Sequence, residues 1–388
     1  MRGACPLALA LVVTLSGCWS SPPRKEKPLP FVFRSLNLRQ QDAKGRPSWE
    51  LRSPEARYDL TARMAHVRTP QGLIYANGQP RYRVRAGKGT VYNDGERITL
   101  EQAVRIDVIG DRPVQISGDR VQWIPRQHLM EIDQRPVALD QQSKLSSRTA
   151  RFRLDIDRIE LRGAPRMERW EGKGRLDHGK VRGKPNTVLD VAQADWNPSS
   201  GSLQAKGPVR GERRPPGGSL QVLTASRLEG NTRLQWLDFF APLRLTDQAQ
   251  KAWLDAGDSR WDLKQQRIQS SHPFQAAVGK LLIRGQSFEI LQVPQTVHIP
   301  SGCDLRQPTD WLQATDCLWN WDTQAIQATG NVVLRRTANQ QVTRSSQVSG
   351  NLGAKGLAVF TTPGGRVSSD LRLPPQAPQR RPSAPVTF

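Results

Sequence analysis

Cysteine and histidine are scarce in this chain, with 4 and 5 among 388 residues. So few cysteines exclude a disulfide-dense scaffold, and so few histidines exclude a multi-zinc protein. His66, His128, His178, His272 and His298 are scattered, with no H-x-x-x-H or H-E-x-x-H spacing. There is no P-loop, no G-x-S-x-G and no G-x-G-x-x-G opening a helix. Gly87-x-Gly89 is a glycine pair at a strand edge. No two carboxylates stand out as a glycosidase pair. The expectation is therefore a protein that is not an enzyme and holds no cofactor and no metal. Acidic residues are also in deficit: 35 against 57 Lys plus Arg, for a net charge of +22. Helical periodicity is almost missing, and only residues 236–254 could hold a short helix.

The one long apolar stretch is at the N-terminus. Arg2 precedes an apolar run from Pro6 to Leu15, too short to span a bilayer. It ends in Leu15-Ser16-Gly17-Cys18, which resembles the lipobox of bacterial lipoproteins, where cleavage before the cysteine is coupled to its acylation. Cys18 is the expected lipidation site and residues 1–17 the signal peptide. An exported basic chain meets anionic lipid, glycolipid phosphate or acidic proteins, so no nucleic-acid partner is expected despite the charge. The plainer reading of that charge is a solvated basic surface. Residues 18–30 are rich in Pro and charge and read as a tether. Residues 363–388 read as a disordered Pro-rich tail.

What lies between is a run of short strands with period-two alternation. Tyr82, Val84 and Ala86 share one face while Arg81, Arg83 and Arg85 share the other. Ile98, Leu100, Val104, Ile106 and Val108 share a parity. Phe152, Leu154 and Ile156 fix one parity and Ile159 and Leu161 the other, so two strands flank a turn at Asp157-Arg158. A degenerate repeat runs through the region: an aromatic, an apolar residue seven on, a Gly four further. Phe152–Ile159–Gly163, Trp196–Leu203–Gly207 and Trp319–Ile326–Gly330 fit it. Weaker copies begin at Tyr58, Tyr92, Trp123 and Trp261, with Leu228 a candidate for the aromatic slot. Most spacings are 29 to 34 residues, with long gaps at 152–196 and 261–319. Such a period implies a stacked β architecture with one large aromatic per unit between facing sheets.

Phe33 to Leu38, then Asp42-Ala43-Lys44-Gly45-Arg46-Pro47-Ser48-Trp49 and Ala56-Arg57-Tyr58, resemble the opening of the LptC family of lipopolysaccharide-export proteins. Ala86 to Tyr92, followed by Leu100, Val104 and Ile106, resembles that family's next units. The later aromatic–Gly-x-Val repeats resemble the wider OstA-like jellyroll family that includes LptA. The resemblance implies an all-β fold: an elongated open β-jellyroll of two curved antiparallel sheets over residues 31–362. It implies lipopolysaccharide as cargo, and the inner-membrane ABC transporter of lipopolysaccharide export and an LptA-like bridge protein as partners. It implies a periplasmic site on a lipid anchor at the inner membrane, although the short enteric form has a transmembrane anchor and Trp19 is not the Asp of enteric inner-membrane retention. The lipid-slot candidates are Tyr82, Val84, Ile98, Leu100, Val104, Ile106, Phe152 and Ile159. Alternation alone does not tell an accessible slot from a dry core. The competing reading is a structural or polysaccharide-binding β-repeat lipoprotein of the cell envelope.

Cys303 and Cys317 are the remaining thiols of the mature chain. In an oxidising compartment two such cysteines pair, and the alternative is two free buried thiols. Since they fall in the long 261–319 gap, the bond is expected to staple an insertion.

Overall fold

The computed structural model describes residues 31–140, 142–171, 183–215, 217–337, 340–351 and 358–372. Residues 1–30, with the expected signal peptide, Cys18 and the expected tether, lie outside the described residues. No α-helix occurs among those described, and none is long and apolar enough to cross a membrane. Residues 236–254, a candidate helix, instead give the strands Trp236–Phe239 and Leu243–Asp247 and lead into Ala252–Ala256. Their apolar positions pair across strands, Leu237 with Trp261 and Leu245 with Leu254, which serves them better than an isolated helical face.

Among the described residues all strand pairing is antiparallel and follows two ladders. One sheet runs from Phe31–Phe33 through hairpins such as Thr149–Arg153/Arg158–Arg162 and Gln193–Trp196/Ser202–Lys206 to Ala358–Thr361. The other runs from Leu36–Gln41 through hairpins such as Arg166–Arg169/Thr187–Asp190 and Val209–Arg213/Gln221–Ala225 to Ser368–Asp370. The chain alternates, giving one hairpin to each sheet in turn. Two long strand pairs belong to both sheets: Arg97–Val108 with Val114–Ile124, and Ala325–Arg336 with Gln341–Asn351. In Arg97–Val108 the switch between sheets falls at Gln102 and Ala103, both at positive φ. There Ile98 and Leu100 pair within the first sheet, and Val104 and Ile106 within the second. The result is a two-sheet jellyroll with its core between the sheets.

The repeat of the sequence is the first-sheet hairpin. Phe152 pairs with Ile159, Trp196 with Leu203, Trp261 with Ile268 and Trp319 with Ile326. Asn197, Asp262 and Asn320, each following its Trp, accept two backbone N–H bonds and close the turn. The conserved-in-chain Gly of the repeat sits where the strand leaves for the other sheet. Gly163, Gly207 and Gly330 have φ of 76°, 82° and 78°, and a Cβ there would fall 2.5–2.7 Å from Arg148, Ala192 or Thr315. Only Gly meets both demands.

Several sequence expectations change. Gly230, paired with Leu237, occupies the slot offered to Leu228. Val91, paired with Ile98, occupies the one offered to Tyr92. Ile290 pairs with Val297, so the 261–319 gap holds a regular unit and no insertion. The tail begins later than residue 363, because Ser368–Asp370 pairs with Val342 to Arg344. Residues 373–388 lie outside the described residues.

Candidate functional site: the mouth between the sheets

The two sheets meet along one edge, where tight crossovers carry the chain between them. Along the opposite edge they end in separate hairpin turns, and this edge is the mouth of the jellyroll. All eight slot candidates face the interior near its N-terminal end, but each is at most 1% exposed. Tyr82 meets Phe152 edge-to-face at 5.2 Å, and both sit in one packed core with Ile98, Leu100, Ile106 and Ile159. At these positions the side chains are buried against one another between the sheets.

The mouth is also tied shut at that level. Tyr82 Oη donates to Asp157 Oδ1 at 2.7 Å, across the two sheets. Ser199 N donates to Asp157 Oδ2 at 3.0 Å, and Arg81 pairs with the same oxygen at 3.4 Å while also donating to Ser199 Oγ. Arg81 therefore closes the mouth, whereas Arg83 and Arg85 remain on the exposed outer face. Burial first, and the Asp157 carboxylate second, push the Tyr82 phenol well above its ordinary value, so it stays a donor.

Toward the middle of the chain the interior loosens. The packed core divides into one cluster from Trp49 to Trp261 and another from Leu254 to Val348. Between them lies an apolar cavity of about 50 Å³, lined by Leu189, Gly211, Leu223, Leu245, Trp261 and Ile268 among others. It sits in a stripe of the second sheet that passes from Leu145 through Leu189, Gly211 and Leu223 to Leu254 by direct register. Gly211 is the one position of that stretch without a side chain.

Two residues nearer the mouth, the same sheet carries an inward polar row. Ser143, Arg169, Thr187, Arg213, Gln221 and Asp247 are successive register neighbours. Arg213 is held: it donates to Glu171 at 3.1 and 3.4 Å and lies over the Trp261 ring at 5.1 Å. Arg169 is 6% exposed, and its Nε has no hydrogen-bond partner. Burial pulls its guanidinium below the ordinary value, with Asp140 and Glu171 offsetting part of that effect. Asp140 is itself pushed up by burial, although Gln142 N and Ser143 N donate to it. Gln142 Oε1, Thr187 Oγ1 and Trp261 Nε1 are likewise buried and unpartnered. A hollow of about 300 Å³, lined by Arg169, Arg213, Trp261 and Lys264 among others, connects this row to solvent.

Sequence reasoning missed Arg169 and Arg213. The signal was present: in Arg166–Arg169, Met167 and Arg169 share a parity, and so do Leu189 and Thr187 in the next strand. A charge on the apolar parity next to a strand end marks the rim. A larger hollow, about 570 Å³, lies on the outward face of the first sheet, where its charges pair with each other, as Arg260 does with Asp238 at 2.7 Å. Among the described residues no group of three His, Cys, Asp or Glu is placed to hold a metal ion.

Cys303 and Cys317 form a disulfide, with Cα atoms 6.0 Å apart. Cys303 begins a strand of the second sheet, and Cys317 lies in Asp316–Asn320 of the first, so the bond joins the sheets within a regular unit.

Residues 7–166 match the family model described as lipopolysaccharide-assembly, LptC-related. Over this stretch, 160 of the 388 residues, the chain is similar to that family. The clasp of Tyr82 and Asp157 falls within this stretch. Among solved structures, LptH of Pseudomonas aeruginosa, described as the LptA homologous periplasmic component of the conserved lipopolysaccharide transport device, is similar at 10% identity with a TM-score of 0.26. That match covers 30% of this chain and 82% of LptH. No curated protein matches.

Proposed function

We propose that this protein is a periplasmic, lipid-anchored component of lipopolysaccharide export. It accepts the glycolipid from the inner-membrane ABC transporter and passes it along a bridge of like-folded jellyrolls, an LptA-like protein among them. Its parts are the signal peptide 1–17, the tether 18–30 with a lipidated Cys18, and the jellyroll body. The mass of the mature N-terminus checks the anchor, and an unmodified Cys18 rejects it.

The observation that carries the reading is the LptC-related match joined to an interior of the right chemistry. Acyl chains cost about 0.8 kcal/mol per exposed CH₂, so a carrier must cover them. The apolar stripe between the sheets supplies such a surface, and the mouth leaves room for sugars in solvent. Among the described residues, Phe31–Phe33 and Leu36–Gln41 at one end, and Ala358–Thr361 and Ser368–Asp370 at the other, pair on one side only. Free edges of this kind accept a like-folded partner by strand addition. Phe31, Val32 and Phe33 are exposed there, as an edge awaiting cover would be.

The test is photocrosslinking in cells. A photoreactive residue at Leu223, Leu245 or Ile268 should label lipopolysaccharide, and one at Arg83 or Arg260 should not. Leu100 and Ile106 should label weakly, since they are closed off. Equal labelling of inner and outer faces, or none on the inner face, rejects transport through the interior. Binding of surface polysaccharide without any lipid labelling would favour the structural lipoprotein instead.

A further inference from the structure

The rim of the cavity has a feature that lipid covering alone does not require. A guanidinium removed from water normally has a carboxylate or several acceptors in contact, because an unsatisfied buried charge is costly. Arg169 has neither: it is 6% exposed, no residue accepts from its Nε, and its acidic neighbours are engaged elsewhere. Glu171 is taken by Arg213, and Asp140 by the N–H groups of Gln142 and Ser143. Three buried donors near the rim are thus unpartnered: Arg169 Nε in the wall of the hollow, the Thr187 hydroxyl in the wall of the apolar cavity, and the indole N–H of Trp261, which lines both. Arg169, Thr187 and Arg213 stand in direct register on three neighbouring strands, and Trp261 faces them from the other sheet.

We infer that Arg169, with Thr187, Arg213 and Trp261, binds the anionic headgroup, a phosphate or carboxylate, of an amphiphile whose hydrocarbon enters the cavity at Leu189, Gly211 and Leu223. The donor set selects the class. A planar guanidinium meets phosphate or carboxylate oxygens with paired N–H groups, and a neutral sugar cannot neutralise it. The unpartnered Gln142 Oε1 is an acceptor beside these donors, suited to a hydroxyl on the same headgroup. Arg213 is already fixed by Glu171 and by stacking on Trp261, so its remaining field bears on the site without a loss of side-chain freedom. The site lies between the apolar cavity and the solvent-connected hollow, so one molecule reaches both. A cavity of about 50 Å³ accommodates only the first few methylenes, so a longer chain spreads the sheets further. The inference rests on the transport reading only for the identity of the amphiphile in the cell.

The experiment is calorimetric titration of the full chain with three probes: dodecyl phosphate, dodecyl maltoside and inorganic phosphate, the detergents below micelle formation. Dodecyl phosphate should bind at least about tenfold more tightly than either of the others. Arg169→Gln should weaken dodecyl phosphate about tenfold and leave the maltoside unchanged, with Arg169→Lys falling between. Arg213→Gln, read beside a thermal melt, serves if Arg169→Gln fails to fold. Equal weakening of both detergents, no effect of either substitution, or inorganic phosphate binding as tightly as dodecyl phosphate would each overturn the site, the last leaving a free-anion site. Loss of dodecyl phosphate binding with intact lipopolysaccharide labelling at Leu223 overturns this site alone. Dodecyl phosphate binding without any lipopolysaccharide labelling overturns the transport reading alone.

Discussion

The Tyr82 hydroxyl donates to Asp157 from 75 positions away in sequence, and the bond crosses from one sheet to the other. It ties the two sheets together at the mouth beside the first core cluster. Asp157 is 9% exposed and Tyr82 1%, and the phenol depends on the carboxylate more than the carboxylate, which Ser199 N and Arg81 also serve, depends on the phenol.

Removing one partner should therefore cost more than removing the donor cleanly. Tyr82→Phe is expected to lose about 1 kcal/mol, since Asp157 keeps Ser199 N and Arg81. Asp157→Ala leaves the buried phenol only the Leu154 carbonyl at 3.5 Å and should lose about 2 kcal/mol or more. Chemical denaturation measures both. Hydrogen exchange should quicken at residues 154–157 and 197–201 in Asp157→Ala. Unchanged exchange there would mean that the clasp does not hold the mouth.

The disulfide links the sheets across a separation of 14 residues. Cys303→Ala with Cys317→Ala should lower stability by about 3 kcal/mol, the loop-closure value for this length. The loss should be local to the second core cluster, between Leu254 and Val348. Exchange that quickens equally at Trp49 and Trp319 would show that the two clusters unfold as one.

Asp195 supplies an acid-sensitive contact. Burial alone would raise its carboxyl, but hydrogen bonds from Arg162, at 2.9 Å, and Arg158 outweigh this and hold it below the ordinary 3.8. Its stabilising effect is thus fully present above about pH 4 and is lost as pH falls through the lower folded value. Comparing Asp195→Asn with the unmodified chain from pH 6 to pH 2, the difference in denaturation midpoint should shrink toward the acid end. A difference that grows instead would reverse the sign of the shift.

The last first-sheet strand offers a test of docking. Ala358 and Val359 pair with Gly350 and Ser349, and neighbouring residues aim their N–H groups to opposite sides of a strand. Of Ala358→Pro and Val359→Pro, one should lower the melting temperature by removing a ladder bond. The other should leave it unchanged and weaken pull-down of the LptA-like bridge protein. If neither affects the pull-down, this edge is not the docking edge.

How much of this was legible in the sequence depends on what each unit uses to fill its interior. Phe152 and Ile159 could be read because a parity flip around Asp157 betrays a hairpin, and the structure pairs them directly. The units at Gly230 and Ile290 hid because neither residue is aromatic, although turn and register are the same. Two facing sheets were implied by period and alternation. Which stretch of the interior is dry was not, because packing between sheets depends on residues about 70 positions apart, such as Tyr82 and Phe152. Arg169 escaped because Arg alternating with apolar residues is common on outer faces, although here it shares the inward parity of Met167.

The strand pairs shared by both sheets, Arg97–Val108 with Val114–Ile124 and Ala325–Arg336 with Gln341–Asn351, have a mechanical consequence. They clamp the two sheets at two stations, and the crossovers act as a hinge line between them. A plate clamped at two ends and hinged along one side deflects most at midspan. Midspan here falls near Gln221–Ala225 and Leu243–Asp247, the strands that carry Leu223 and Leu245 of the apolar cavity. The compliant part of the molecule is therefore where the guanidinium rim stands, and widening for a long hydrocarbon would be shared gradually toward both clamps.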